Sequence, residues 1–282
     1  MSKQLREQTR QKLAQSDLRR LASLGQNFLV DQKIIDSVCQ VVTETKPAQI
    51  LEIGPGLGAV TFPLTQAVKE IVAVELDRGL ADRLARIAPT NVRLVNGDIL
   101  KQNLANFGLN KGKYVAFGSL PFNVGTAIIR FLLESPVRPR LIYAILQQEV
   151  IDRILAKDQG ESVLSLAVKF YGQAEFRLAI PASAYEPVPQ VKTGLVSLDC
   201  AAGLRFPELE KPYFRLVKAG FASRRKFLAS NLTAKLGVER KIVQNAFIRA
   251  KIKLTARAEE LSFLNWIDLA RFFYERNLPD DM

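Results

Sequence analysis

Histidine is absent from this chain of 282 residues, and cysteine occurs only twice. Without imidazole the chain cannot build Ser-His-Asp or Cys-His nucleophiles, His-Glu-x-x-His metalloproteases or the common histidine-based zinc sites. Cys39 and Cys200 lie in apolar surroundings with no partner spacing. We therefore expect buried, reduced thiols, with neither a disulfide nor a metal site.

Long apolar runs are also missing. No stretch approaches the roughly 18 to 20 apolar residues that cross a bilayer, and the basic, glutamine-rich start lacks the apolar core of a secretion signal. These absences predict a cytoplasmic protein with no membrane partner. The length suggests two domains at about 150 residues each.

Positive charge is in excess, with a formal net charge of +12. Such an excess indicates a polyanionic partner, with nucleic acid as the first candidate and an anionic membrane surface as the second. A basic protein that is merely soluble is the alternative. The tail over 205–282 carries 16 Lys and Arg against 9 Asp and Glu, and the start over 1–23 is also basic.

Short apolar runs alternate with helical periodicity between residues 31 and 200, which predicts an α/β fold with a parallel sheet and crossover helices. The last two strand-like runs, 174–180 and 192–198, lack a long helix between them and predict an antiparallel hairpin at one sheet edge. After a linker rich in glycine and proline, the pattern is wholly helical. The predicted domains are a basic arm over 1–23, an α/β domain over 24–204 and a helical domain over 205–282.

The segment "LEIGPGLGAVT" (51–61) places Gly54, Gly56 and Gly58 after a strand and before a helix. Glycines there allow a sharp turn and let a ligand approach the backbone, so we predict nucleotide binding by this loop. The spacing G-x-G-x-G, preceded by Glu52, departs from the G-x-G-x-x-G of NAD enzymes. A purely structural loop is the alternative.

Two acidic residues follow the next two strands. Glu75, in "VELD" at the end of the second strand, lies 21 positions beyond Gly54, where a carboxylate can accept hydrogen bonds from both hydroxyls of a ribose. Asp98, in "NGD" after the third strand, could accept from an adenine amino group. Either acid alone could be a solvated strand end or a helix cap. Together with the loop, they favour S-adenosylmethionine, which has a ribose, an adenine, a cationic sulfonium and no phosphate.

The fourth strand ends in Ser119-Leu120-Pro121-Phe122. Proline favours an extended backbone at the residue before it, so the Leu120 carbonyl can point into the crevice at the sheet edge. Phe122 offers a ring on which a base could stack. A simple turn closed by serine and proline is the alternative.

These motifs, in this order, resemble the ribosomal RNA adenine dimethyltransferase family of the bacterial small-subunit type. The matching segments are "LGQNFLVD" (24–31), "LEIGPGLGAVT", "VELD" (74–77), "NGDIL" (96–100), "SLPFNVGTAII" (119–129), "LQQEV" (146–150), "YEPVPQVKTGLV" (185–196) and "FASRRKFLASNL" (221–232). The resemblance implies a doubly wound, seven-stranded Rossmann-like methyltransferase sheet with a small all-α C-terminal domain. It also implies a monomer that dimethylates N6 of two adjacent adenines near the 3′ end of 16S rRNA.

The resemblance further assigns roles by position. Asn27 and Leu29 would line the methionine end of the cofactor, and Gly54 and Gly56 would belong to its loop. Glu75 would bind the ribose, Asp98 the adenine ring, and Ser119 would also contact the cofactor. Ser119 and the Leu120 carbonyl would accept hydrogen bonds from the adenine N6, with Phe122 stacked on one face of the ring. Tyr185 would close on the other face, although a core or edge-strand tyrosine is an equal alternative.

Two positions depart from the family pattern. Ser119 occupies a position where the family usually has Asn, and the match is weaker over 161–168, where the family usually shows a Tyr-Gly pair. A serine hydroxyl is shorter than an amide but can accept from an amine if it rotates suitably.

The helical domain over 205–282 is predicted to bind RNA, and so is the basic arm. In the helical domain the contacts are predicted at Arg224, Arg225 and Lys226, on a helix that Phe221 and Phe227 would anchor. An ordinary solvated face is the alternative for the triplet. For the whole protein, two rival functions remain within the fold: a non-catalytic ribosome-assembly factor and a large-subunit rRNA adenine methyltransferase. A NAD-dependent enzyme is a more distant alternative.

Overall fold

The computed structural model of the chain describes residues 6–7, 9–11, 27–121, 123–156, 160–201 and 206–276. It divides into two compact units, the first made of 1–151 and 174–201, the second of 152–173 and 202–282. Among the helices within the described ranges, none is long and apolar enough to cross a membrane. Phe122 and most of the predicted arm lie outside the described residues.

The first unit is built on a seven-stranded sheet. Its strands are β2 (Gln49–Ile53), β3 (Glu70–Glu75), β4 (Val92–Asn96), β5 (Val115–Ser119), β6 (Leu141–Gln147), β7 (Gln173–Ile180) and β9 (Thr193–Asp199). Across the sheet their order is β4-β3-β2-β5-β6-β9-β7. The five strands from β4 to β6 in this order are parallel, and β9 runs antiparallel to β6. The predicted doubly wound, seven-stranded sheet is thus confirmed, with the last two strands adjacent at one edge.

Helices cross between the strands of this sheet because their apolar residues recur at three and four positions and can cover the sheet. The crossover helices are α2 (Thr61–Leu64), α3 (Arg78–Ile87) and α4 (Gly125–Glu134), while α1 (Gln32–Thr43) precedes β2 and α5 (Gln148–Leu155) follows β6. Asp31 caps α1 by accepting from the N–H groups of Lys33 and Ile34, and Asp77 caps α3 by accepting from Leu80 N–H.

A separate two-stranded sheet joins β1 (Phe28–Leu29) to β8 (Tyr185–Glu186). The strands are antiparallel, with Phe28 opposite Glu186 and Leu29 opposite Tyr185. This pairing holds the segment that begins at Asn27 against a part of the chain almost 160 residues away in sequence.

The second unit is helical, as predicted for the C-terminal domain. It contains α6 (Val163–Tyr171), α7 (Glu210–Gly220), α8 (Leu228–Leu236), α9 (Arg240–Arg249) and α10 (Phe263–Tyr274). Segment 152–173, which the sequence pattern placed in the α/β domain, belongs to this unit. The physical reason is aromatic packing: the Phe170 ring stacks on Tyr213 at 4.5 Å, and the Tyr171 hydroxyl donates to Glu210 at 2.7 Å.

Candidate active site

The carboxyl ends of the parallel strands bring the predicted residues to one edge of the sheet. Gly54 follows β2, Glu75 ends β3, Asp98 follows β4 and Ser119 ends β5. Because these four strands are parallel and adjacent, their carboxyl ends meet at the same edge, where doubly wound sheets bind ligands. The loop and the fourth strand are close: a side-chain Cβ built on Gly54 would lie 3.9 Å from the Ser119 carbonyl oxygen.

The glycine loop needs glycine for conformation and for space. Gly54, Gly56 and Gly58 have φ values of 70°, 56° and 81°, in the left-handed region that side chains disfavour. A Cβ on Gly56 would lie 3.2 Å from the Phe28 ring, and one on Gly58 would lie 2.5 Å from the Phe62 ring. The loop is therefore a fixed backbone cradle, and Phe28 brings the Asn27 segment against it.

Glu75 is a buried carboxylate with an ordered role in the loop. Its Oε2 accepts from the Gly56 N–H at 3.0 Å, and its Oε1 accepts from the Asp77 N–H at 3.0 Å. Burial raises the pKa of Glu75 above the ordinary glutamate value, although these two N–H groups oppose the rise. Each carboxylate oxygen keeps a second lone pair, so the bonds orient Glu75 without removing its capacity to accept from two hydroxyls.

Asp98 does two things at the end of the next strand. Its Oδ1 accepts from the Leu100 N–H at 3.0 Å and so caps a short 3₁₀ turn, as the simpler alternative predicted. Its Oδ2 makes no hydrogen bond with any residue in the described ranges, which leaves an acceptor for an amino group.

The sequence analysis did not identify Leu76, which directly follows Glu75 and is 71% exposed. Its side chain provides an apolar surface near the carboxylates of Glu75 and Asp98.

Ser119, the last residue of β5, and Leu120, directly after it, provide two available acceptors. The Leu120 N–H donates to the Ile145 carbonyl at 3.1 Å, which fixes the backbone, and the Leu120 side chain is buried. Neither the Ser119 hydroxyl nor the Leu120 carbonyl makes a hydrogen bond with the described residues. The Pro121 carbonyl, in contrast, accepts from Val124 and Gly125 N–H at the start of α4. The stacking role predicted for Phe122 falls outside the described residues.

Glu52, directly below the glycine loop on β2, is the most perturbed carboxyl group of the site. It is 2% exposed, and its Oε2 has no hydrogen-bond partner. Burial raises the pKa of Glu52 from 4.5 to about 8, an effect that the nearby Thr61 hydroxyl opposes and the charge of Glu75 reinforces. Glu52 is consequently mostly protonated at neutral pH and adds no full negative charge to the loop.

The sequence matches the family described as ribosomal RNA adenine dimethylase over residues 19–275. A protein named Ribosomal RNA small subunit methyltransferase A from Dehalococcoides mccartyi is 32% identical over 262 residues, covering 92% of this chain and 90% of the relative. A protein of the same name from Desulfitobacterium hafniense is 34% identical over 85% of this chain and 87% of the relative. The chain belongs to the ribosomal RNA adenine dimethylase family.

Solved structures show the same fold. The 23S rRNA methyltransferase ErmE superposes with a TM-score of 0.66 at 21% identity, covering 87% of this chain and 98% of that one. A dimethyladenosine transferase from Plasmodium falciparum gives 0.68 at 18% identity, covering 89% and 98%. These two structures show the fold, and membership of the family identifies the protein as a methyltransferase that uses S-adenosylmethionine and acts on ribosomal RNA.

The residues at the sheet edge fit this cofactor. The glycine cradle admits a ligand against the backbone, the Glu75 carboxylate retains lone pairs for a ribose, and the Asp98 Oδ2 is available for an adenine amino group. Asn27 and Leu29 lie where Phe28 meets the loop. Leu29 is buried in the hydrophobic core with 6% exposure, so we expect its contribution to the cofactor site to come mainly from its backbone.

Tyr185 does not have the exposure that the sequence prediction requires. Its ring is 2% exposed in the hydrophobic core, and its hydroxyl lies 2.8 Å from the Thr193 Oγ1. Burial also raises the pKa of Tyr185 to about 12. The prediction that Tyr185 closes on a base is therefore wrong for this arrangement, and the edge-strand alternative describes it, because a buried ring has no free face to offer.

Two arginines of the basic start have a partner within the protein. The Arg6 guanidinium lies 3.2 Å from the Glu186 Oε2 and also donates to the Ser183 carbonyl, and Arg10 lies 3.1 Å from the Glu186 Oε1. These two charges are offset by Glu186. For the RNA contact predicted for the arm, Arg6 and Arg10 would have to leave the Glu186 carboxylate and bind phosphate groups instead.

The basic triplet Arg224, Arg225 and Lys226 lies in a turn between α7 and α8. The helix predicted for "FASRRKFL" (221–228) is not formed there, because α7 ends at Gly220 and α8 begins only at Leu228. All three side chains are exposed. Phe221 stacks on Trp266 at 5.8 Å, as an anchor should, whereas Phe227 is 47% exposed.

Proposed function

We propose that this dimethylase transfers methyl groups to N6 of two adjacent adenines near the 3′ end of small-subunit rRNA during ribosome assembly. The names of the relatives that are 32% and 34% identical support the small subunit as the target. The excess of positive charge supports a nucleic-acid substrate of this kind.

The observation that carries the mechanism is the pair of available acceptors at the end of β5. An adenine N6 lone pair is delocalised into the ring, so the enzyme must hold the amine where that pair can point at the methyl carbon. The Ser119 hydroxyl and the Leu120 carbonyl would accept the two N6 hydrogens and so fix that orientation. Their backbone is held by the Leu120 N–H bond to Ile145 at 3.1 Å.

Bound S-adenosylmethionine supplies an electrophilic methyl group on a cationic sulfur. Glu75 would hold its ribose and Asp98 its adenine, which sets the cofactor beside Ser119, whose carbonyl oxygen lies close to Gly54. The amine lone pair would attack the methyl carbon as the bond from sulfur to methyl breaks, which leaves S-adenosylhomocysteine as a neutral thioether. The methylated nitrogen is then cationic and can lose its proton to water, so no strong general base is needed and a protein without histidine can carry out the reaction.

To reach this site an adenine must leave its stack, at a cost of a few kcal/mol. Stacking on Phe122 would offset part of that cost. Arg224, Arg225 and Lys226, exposed in their turn, would contact phosphates and position the RNA.

The direct test is nucleoside mass spectrometry after incubation of the purified protein with S-adenosylmethionine and unmethylated ribosomal particles. Small-subunit precursor particles and large-subunit particles should be assayed in parallel. We expect dimethylated adenosine in the small-subunit rRNA only.

Each rival function gives a different result in that assay. Methyl groups in the large-subunit rRNA would assign the protein to the other branch of adenine methyltransferases. Tight binding to small-subunit particles without any methyl transfer would identify a non-catalytic assembly factor, the alternative that the serine at position 119 raised.

A further inference from the structure

The second unit contains positive charges that no carboxylate of the described chain offsets. Arg249 is paired with Glu275 at 3.0 Å, and Arg271 and Arg276 lie over the rings of Phe206 and Phe272. Lys251 and Lys253, in contrast, are exposed and make no ion pair with any residue in the described ranges. The same holds for the three basic residues of the 224–226 turn.

Lys251 and Lys253 border an open cleft of about 470 Å³. The cleft is formed by the loop after α9 together with Glu260, Leu261 and Asn265. Glu260 is its only acidic lining residue, and the Glu260 Oε2 already accepts from the Arg257 N–H at 2.7 Å. The cleft is therefore polar and carries a net positive charge, which suits an anionic ligand.

Lys251 has a backbone conformation that lysine disfavours. Its φ is 55°, in the left-handed region where a Cβ is strained and glycine is the ordinary choice. Conformation alone would favour glycine at this position, so the presence of lysine there is consistent with a binding role for its positive charge.

The cleft is joined to the basic turn by the backbone. The Leu228 N–H donates to the Ala256 carbonyl at 2.9 Å, and so the end of the turn is fixed to the end of the cleft loop. The Asn231 side chain holds the other part of the turn by donating to the carbonyls of Gly220 and Ser223 at 2.7 and 2.9 Å. Turn and cleft are thus two parts of one ordered surface.

An exposed aromatic completes this surface. Phe227, 47% exposed, directly follows Lys226 and precedes Leu228. Basic side chains that interleave with an exposed aromatic are typical of sites for unpaired nucleic-acid strands, in which phosphates meet cations and bases stack on rings.

We propose that the cleft at residues 251–256 is a second RNA-binding site, in which Lys251 and Lys253 hold backbone phosphates while an unpaired base stacks on Phe227. The site extends the predicted contacts at residues 224–226 to a separate loop. It rests on the proposed function in that the RNA is the rRNA substrate.

The test measures binding to protein-free small-subunit rRNA at several salt concentrations. The double variant Lys251→Gln, Lys253→Gln should bind roughly tenfold or more weakly, and its slope of log affinity against log salt should be shallower by about two. Phe227→Ala should weaken binding with little change in that slope. The methyl-transfer rate at saturating RNA should stay at the wild-type value.

A matched control is available in the first unit. Lys111 and Lys113 are also two exposed lysines separated by one residue, and they precede β5, whose other end bears Ser119. The variant Lys111→Gln, Lys113→Gln loses the same charge and should bind RNA much more tightly than the cleft variant. If the two double variants bound equally well, general charge would explain the affinity and the proposal would be wrong.

Lys251→Gly separates binding from folding. It should weaken RNA binding without lowering the melting temperature, because glycine adopts a positive φ without steric cost. Undiminished affinity in this variant would overturn the role of Lys251. A loss of binding to whole particles but not to protein-free rRNA would instead assign the cleft to an acidic protein surface.

These outcomes are independent of the reaction itself. Methyl transfer with unaltered binding in the cleft variant would refute the second site and leave the proposed function intact. Salt-sensitive binding through the cleft without methyl transfer would support the second site and refute the proposed function.

Discussion

Replacing Glu52 with glutamine should stabilise the protein at alkaline pH and leave its stability unchanged at acid pH. The Glu52 carboxyl is 2% exposed, its Oε2 has no partner, and its pKa is raised from 4.5 to about 8. The folded protein therefore holds this proton more tightly than the unfolded chain does. Stability must fall as pH rises from the ordinary pKa to the folded pKa, since over that range the unfolded chain loses this proton while the folded protein keeps it.

The size of the effect follows from the pKa difference. One unit is worth about 1.4 kcal/mol, so the raised pKa of Glu52 lowers stability by about 3 kcal/mol at neutral pH and by about 4 to 5 kcal/mol once Glu52 is fully ionised. Glutamine has a neutral head of similar size, comparable to the protonated acid, and avoids that loss. The variant should match the wild type at about pH 4, exceed it progressively up to about pH 8, and keep a constant advantage above that.

Urea unfolding at several pH values measures this difference. The chain has a single tryptophan, Trp266 in the second unit, so its fluorescence follows that unit. Far-UV circular dichroism is needed to follow the sheet unit that contains Glu52.

Glu149→Gln is the matched control, because Glu149 is an exposed glutamate of the first unit without an ion pair in the described ranges. Its stability should follow the wild type at every pH. Parallel curves for wild type and Glu52→Gln would refute the reasoning. So would a variant that is less stable at alkaline pH, since that would mean that the Glu52 charge has a stabilising partner.

Three further changes test the site and the second unit. Gly56→Ala should cost about 1 to 2 kcal/mol of stability and weaken cofactor binding in calorimetry, since φ is 56° and the new Cβ would lie 3.2 Å from the Phe28 ring; unchanged binding would contradict the cradle. Glu75→Gln should weaken cofactor binding in calorimetry and lower the free energy of unfolding in urea by about 1 to 3 kcal/mol, because the NH₂ of the glutamine would face the N–H of Gly56 or Asp77. Unchanged cofactor binding or unchanged stability would contradict the role of Glu75. Asn231→Ala should cost about 1 to 3 kcal/mol in unfolding followed by tryptophan fluorescence, because two carbonyls lose their donor; a shift below a few tenths would contradict that role.

The sheet and its functional edge could be predicted because they depend on local patterns. Buried parallel strands are nearly continuous apolar runs, and each run ends where a glycine, an acid or a serine interrupts it. Once the strands are parallel, Glu75, Asp98 and Ser119 must share one edge. The sequence therefore located the candidate site through chain order alone.

What could not be predicted depends on partners distant in the chain. The turn at Arg224–Lys226 is fixed by side-chain and backbone bonds from Asn231 and to Ala256, although local periodicity favoured a helix. The burial of Tyr185 depends on its place in the hydrophobic core and its contact with Thr193. Segment 152–173 joins the second unit through aromatic packing that no spacing rule indicates.

The sequence also could not predict which carboxylate oxygens of Glu75 and Asp98 are already hydrogen-bonded within the protein. The spacing predicted that Glu75 could bind a ribose. It did not predict that both carboxylate oxygens already accept hydrogen bonds from backbone N–H groups of the loop and of Asp77. Asp98 is both the simple cap and an available acceptor. A carboxylate has enough lone pairs to accept from the backbone and from a ligand at the same time, so the capping and ligand-binding interpretations of these acids are compatible.

The most direct test of the central claim is the single-turnover rate of methyl transfer to small-subunit particles at saturating cofactor, for wild type, Ser119→Ala and Ser119→Asn. If the Ser119 hydroxyl orients the adenine N6, Ser119→Ala should be slower by roughly tenfold to a hundredfold, the loss of one well-placed hydrogen bond of about 1.4 to 2.7 kcal/mol. Saturating cofactor keeps any change of cofactor affinity out of this rate, and Ser119→Asn should retain transfer through its amide oxygen. A Ser119→Ala enzyme as fast as the wild type would contradict the claim.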